Sequence, residues 1–155
     1  MDRRREDGLS HDRTRVTARV LLLDPAGRIL LMYGRLPGAP AGAWFTIGGG
    51  VEPGESPREA AAREIVEETG FTDFVLGPCL WTGALDIHDR LGPLRVTEYF
   101  FAARAPAAEP SRSGWLDIEH ELVDAIRWWT LADLARCPDP VFPPDLVDRL
   151  RALLP

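Results

Sequence analysis

The sequence predicts a single α/β domain, an α/β/α sandwich with helices on both faces of a mixed β-sheet. Three observations support this. Alternating apolar residues mark strands on either side of a sharply delimited helix at 57–69. An amphipathic helix closes the chain at 144–154. The 155 residues, 45% hydrophobic and 27% charged, suffice for one domain with a real core.

Residues 1–13 are polar and charge-mixed and read as a flexible tail, so the domain runs from 14 to 155. Val16, Ala18, Val20 and Leu22 then alternate with Thr17, Arg19 and Leu21, which is a strand pattern. Asp24-Pro25-Ala26-Gly27 is a turn signal, and Arg28–Tyr33 returns as the second strand of a hairpin. A loop at 37–42 leads to a short apolar strand, Trp44–Ile47, and to three glycines, Gly48–Gly50. Ser56 is placed to cap a helix, Pro57 suits its first position, and Glu59 completes a capping box. Gly70 suits the other end. Strands are expected at 74–84 and 94–103 with a loop at 87–93 between them, and 105–119 reads as loose. A short strand at 125–130, a short helix at 131–136 and the final helix complete the domain.

Composition excludes some functions. A formal net charge of −6 argues against a long nucleic-acid partner, which usually meets a basic face. No apolar run approaches the roughly 20 residues of a membrane span, and the N-terminus lacks a signal-peptide core. Cys79 and Cys137 read as buried or inert thiols in a reducing compartment, so a cytoplasmic location is expected. A small anionic ligand stays compatible with negative charge, because bound cations reverse the local field.

The chemistry concentrates at 49–71. Glu64, Glu67 and Glu68 lie three and four positions apart and share one side of the helix, while Ala61, Ala62, Ile65 and Thr69 form the neighbouring, packed side. Like charges at this spacing cost a helix a few tenths of a kcal/mol per pair unless a cation joins them. Oxygen donors in this number suit Mg²⁺ or Mn²⁺. Arg63 adjoins Glu64 and is placed to hold a carboxylate. A bare Glu-x-x-Glu-Glu would also describe a solvated acidic face, so the wider spacing decides the matter.

Gly49, Glu55, Arg63-Glu64, Ile65, Glu67-Glu68, Gly70 and Phe71 stand at the spacing of the Nudix box, and the segment resembles the Nudix hydrolase family. The flanks are similar too, with Trp44 ahead of three glycines and Trp128-Trp129-Thr130-Leu131 later on. Ile47 stands where many members carry proline. The resemblance implies a Mg²⁺-dependent pyrophosphohydrolase, with Mn²⁺ as a substitute, that cleaves a nucleoside diphosphate linked to another group by water attack on phosphorus. It implies that Glu64, Glu67, Glu68 and the Gly48 carbonyl bind metal and that Arg63 orients Glu64. Glu55 would act as a brace or outer ligand. The base would be a glutamate of the box or of a later loop. Glu119 and Glu121 are candidates for it, and Glu98 is another.

Specificity lies outside the box. Trp44, Glu55, Arg35 and the backbone at Gly49 and Gly50 are the candidate substrate contacts. Trp81, Tyr99, Phe101 and Trp115 are further aromatic faces, each equally an ordinary core residue, and Arg90 and Arg95 are further cations. The expected partner is a small nucleotide-type molecule and the expected state a monomer or homodimer. The alternative reading is a Nudix-like binding or regulatory module without catalysis, against which the complete set of glutamates speaks.

Overall fold

A computed structural model describes residues 13–35 and 41–154. Its centre is a mixed sheet. Strand β1 (Thr14–Leu23) runs parallel to β5 (Gly92–Arg104), with Thr14 opposite Arg95 and Leu23 opposite Arg104. Outside β5 lies the antiparallel β4 (Val75–Asp89). On the other side of β1 is β3 (Ala43–Gly50), which changes partner midway. Its first half pairs with β2 (Ile29–Gly34), and its second half, Ile47–Gly50, pairs with Val20–Thr17 of β1. β6 (Val123–Trp129) continues the sheet beyond β2, and β7 (Val141–Phe142) adds a short parallel pairing to β3.

The expected hairpin of β1 and β2 forms only at its mouth, where Leu23 faces Ile29, because β3 separates the strands beyond that point. The buried Asp24 carboxylate closes the turn by accepting N–H groups from Ala26 and Arg28 and the Arg28 Nε at 2.6 Å.

Helix α1 (Pro57–Thr69) keeps the bounds expected from its caps. Ser56 Oγ accepts the Glu59 N–H at 3.1 Å, although the return bond from Glu59 is not made. Gly70 ends the helix at φ 74° and donates to Val66 O. Ala60, Ala61 and Ile65 bury against Ala18, Val20, Ile47 and Phe101 on one face of the sheet. Ala60 takes the buried place expected of Ala62, which is half-buried. Burying a side chain such as Ile65 is worth about 1.5–3 kcal/mol. On the opposite face, α3 (Leu131–Ala135) and α4 (Leu146–Leu153) pack Leu134, Leu146 and Leu150 against Leu21, Leu31, Phe100 and Trp129. The α/β/α arrangement follows, and the two cores use alternate residues of β1.

Several expectations need correction. Residues 87–93 are not a loop: β4 and β5 stay paired to Asp89 and Gly92 around a two-residue turn. Ile87 lies opposite Leu94, and an Arg13–Asp89 ion pair ties the hairpin tip to the start of β1. Within 105–119 a further helix begins, α2 (Asp117–Leu122). Cys79 is exposed rather than buried.

Candidate active site

Arg63 is the hub of the box. Its Nε donates to Glu55 Oε2 at 2.8 Å, and its Nη2 donates to Glu55 Oε1 and Gly50 O, both at 2.9 Å. Its Nη1 donates to Glu64 Oε1 at 3.0 Å and Glu67 Oε2 at 3.1 Å. The fork therefore joins the loop to the helix and gathers three carboxylates. It holds the Glu55 carboxyl at about 2, well below the usual range, chiefly through the hydrogen bonds to Glu55. Both Glu55 oxygens are committed, since Oε1 also accepts the Glu52 N–H at 3.1 Å. Glu55 is thus the brace between loop and helix.

Glu64 and Glu68 are buried, and their carboxyls influence each other. Burial is the main cause that raises both carboxyls, and the Glu64 charge raises Glu68 further. Glu68, the more deeply buried of the two, is the one pushed well up. Its Oε2 accepts the Gly48 N–H at 3.1 Å. A side chain at Gly49 would place Cβ 2.4 Å from Glu64 Oε1, so that glycine opens the space the carboxylate occupies. Glu67 is the outermost of the three, its side chain 44% exposed.

The NUDIX domain family model matches residues 13–150. The chain belongs to the NUDIX domain family. A MutT NUDIX hydrolase from Burkholderia pseudomallei shares the fold, with a TM-score of 0.61 and 26% identity over 92% of this chain and 99% of that one. An octanoyltransferase of Myxococcus xanthus is 36% identical over 104 residues, 67% of this chain but only 27% of that protein. An RNA pyrophosphohydrolase of Cereibacter sphaeroides is 43% identical over 51 residues, 33% of this chain and 30% of that protein. The matched stretches thus span less than a third of these two curated relatives.

NUDIX hydrolases in general use divalent metal ions, and the donors fit one. Three carboxylates and the Gly48 carbonyl are oxygen ligands of the kind a hard cation takes. The Glu64–Glu68 pair is buried and its ionisation is disfavoured, so a cation beside it would offset the cost of its charge. Among the described residues no group of three or more side chains stands ready-made in coordinating geometry, because Arg63 holds Glu64 and Glu67.

The remaining candidates are scattered. Trp44 is 8% exposed and packs between Tyr33 and Trp129 in the core opposite α1. It sits at the start of β3, roughly 13 Å along the strand from Gly48. Arg35 is exposed beyond Gly34, which pairs with Ala43 at that same far end of β3. Glu121 is exposed on α2, and the Glu119 side chain lies outside the described part. Glu121 makes no hydrogen bond to the box among the described residues, and Trp115 ties the preceding segment to α1 by donating to Glu68 O at 2.7 Å.

Sequence reasoning missed Arg19 and Thr17. Arg19 Nε meets Glu98 Oε2 at 3.2 Å and its Nη1 donates to Gly48 O at 3.4 Å, while Thr17 Oγ1 donates to Glu98 Oε2 at 3.3 Å. Glu98 is therefore the partner of an arginine facing the glycine loop. The available signal was an arginine inside an otherwise apolar strand, which needs a partner when half-buried.

Proposed function

We propose that this chain is a NUDIX pyrophosphohydrolase that uses Mg²⁺, or Mn²⁺ in its place, to cleave a nucleoside diphosphate linked to a further group. The observation that carries this reading is the Arg63 fork gathering Glu55, Glu64 and Glu67 beside the buried Glu68 and the Gly48–Gly50 end of β3. The reaction is hydrolysis of a phosphoric anhydride bond, in which water adds to phosphorus as the bridging P–O bond breaks. Relatives named RNA pyrophosphohydrolase support a nucleotide-type substrate.

The chain's residues divide the work. Glu64, Glu67, Glu68 and the Gly48 carbonyl hold the metal ion, which when bound neutralises phosphate charge and lowers the pKa of a water. Arg63 keeps two of those carboxylates aimed, and Glu55 keeps Arg63 aimed. The buried Glu68 anchors the Gly48 peptide through its N–H. Glu119 and Glu121 on α2 are proposed to take the proton of the attacking water.

A panel of nucleoside triphosphates, dinucleoside polyphosphates, nucleotide sugars, ADP-ribose and 5′-triphosphorylated RNA tests the reading. Turnover is expected with Mg²⁺ and not with chelator, and no turnover across the panel would sink it. Glu67→Gln should lower turnover by roughly 100-fold or more while the circular dichroism spectrum stays unchanged.

A further inference from the structure

The box holds two cations, and Arg58 is turned to Leu76 O and Gly77 O. A guanidinium has five N–H donors, and Arg63 spends its hydrogen bonds on Glu55, Glu64, Glu67 and Gly50 O. Arg63 can meet a phosphate only by releasing the carboxylates it aligns. Yet a pyrophosphate entering beside these glutamates brings more negative charge to an acidic site, and one bound ion must already offset the carboxylates.

Arg19 stands on β1 beside the glycine end of β3. The register of β1 and β3 puts it opposite Gly48. Its side chain is 23% exposed, and Glu98 grips it from one edge through Nε. Thr17 donates to the same Glu98 oxygen and fixes the carboxylate in turn. That leaves the Nη1/Nη2 edge towards the loop. Nη1 makes one long bond, 3.4 Å, to Gly48 O, near the outer limit of a hydrogen bond. Nη2 has no hydrogen-bond partner among the described residues. A second arginine follows on the same face of β1, two positions beyond Thr17. Arg15 lies over Gly50, its Nη2 3.1 Å from where a Cβ would stand.

We propose that Arg19 is the residue that binds the substrate's phosphate, with Glu98 and Thr17 as its positioning residues. The proposal rests on the phosphoric anhydride reading above and names the protein group that meets that anhydride. A guanidinium fork matches two phosphate oxygens at once, and a weak carbonyl contact is readily exchanged for charged ones. Glu98 is then the holder of a cation and not the general base.

Binding of a methylene-bridged, non-hydrolysable nucleoside triphosphate in Mg²⁺, measured by calorimetry, tests this. Arg19→Gln should weaken binding about 10-fold or more and raise KM in step, with Mn²⁺ affinity in the absence of nucleotide within about twofold of wild type by electron paramagnetic resonance. A residue that merely steadied the Gly48 carbonyl would instead lose Mn²⁺ affinity, and that result overturns the proposal. Arg19→Lys keeps the charge without the fork and should bind the analogue with intermediate affinity. Wild-type affinity in each folded Arg19 variant also overturns it, as does a wild-type protein that fails to bind the analogue. Should the analogue bind through Arg19 while no panel substrate turns over, the hydrolase reading fails and this assignment stands.

Discussion

Gly48 and Gly49 are adjacent, and their missing side chains do different things. At Gly48 the backbone sits at φ 145°, and a Cβ would lie 2.1 Å from Ala18 O. That neighbour is backbone of a central strand and cannot step aside. At Gly49 the obstacle is the Glu64 carboxylate at 2.4 Å, the end of a side chain that can turn. Gly48→Ala should therefore cost on the order of 2 kcal/mol of stability. Gly49→Ala should leave the melting temperature nearly unchanged and lower turnover about tenfold or more, because the displaced Glu64 leaves Arg63 Nη1. Thermal melts and kcat measured side by side check the contrast, and a Gly49→Ala protein with normal turnover would show that Glu64 need not stay where it is.

At the scale of elements, α1 depends on a segment distant in sequence. Its last carbonyls lack helical partners. Gly70 N satisfies Val66 O, Trp115 Nε1 satisfies Glu68 O at 2.7 Å, and Ser111 N satisfies Thr69 O at 2.7 Å. Trp115→Phe keeps an aromatic side chain but loses the N–H donor and part of the indole's buried volume, and the unpaired buried carbonyl alone costs about 1–3 kcal/mol. Each kcal/mol should lower the melting temperature by about 2–4 °C in a domain of this size. Amides near the end of α1 should exchange faster while those of β1 do not, and equal acceleration in both would refute the capping role. The same pattern explains what was legible in the sequence. The bounds of α1 rest on Ser56, Pro57 and Gly70, all local, and the contact of Arg63 with its neighbour Glu64 lies within one helix. The hairpin to Asp89 and Gly92 was hidden because Asp86, His88 and Arg90 resemble loop residues, while its tip is tied to Arg13, 76 positions away. α2 was hidden by the Ala-, Pro- and Ser-rich stretch ahead of it. Arg19 was hidden because its partners, Gly48 and Glu98, become neighbours only through strand register.

For the whole molecule, the site sets a balance with pH. Glu64 and Glu68 have carboxyls raised by burial, so the stability tied to their protons is fully present below about 4.5 and is lost as pH rises through their folded values. Glu55 and Asp89 are held at about 2 by Arg63 and Arg13, so their contribution is present above their ordinary values and lost as pH falls towards about 2. The contribution of these four groups therefore peaks in mild acid when metal is stripped away. A metal ion held by these carboxylates would reverse the neutral side of that curve, because its ligands must be deprotonated and a bound ion stabilises the folded state by mass action. Melts of chelator-treated protein should show stability rising from about pH 8 to about pH 5, while added Mg²⁺ should raise the melting temperature more at about pH 8 than at about pH 5. Glu68→Gln removes a buried acid whose ionisation is disfavoured and keeps the shape, so it should stabilise the metal-free protein near neutral pH by on the order of 1 kcal/mol and flatten its pH dependence, while weakening the response to Mg²⁺. If the variant instead melts lower than wild type at neutral pH without metal, Glu68 is not an uncompensated acid in the free protein, and the carboxylate pair is not the origin of its affinity for a cation.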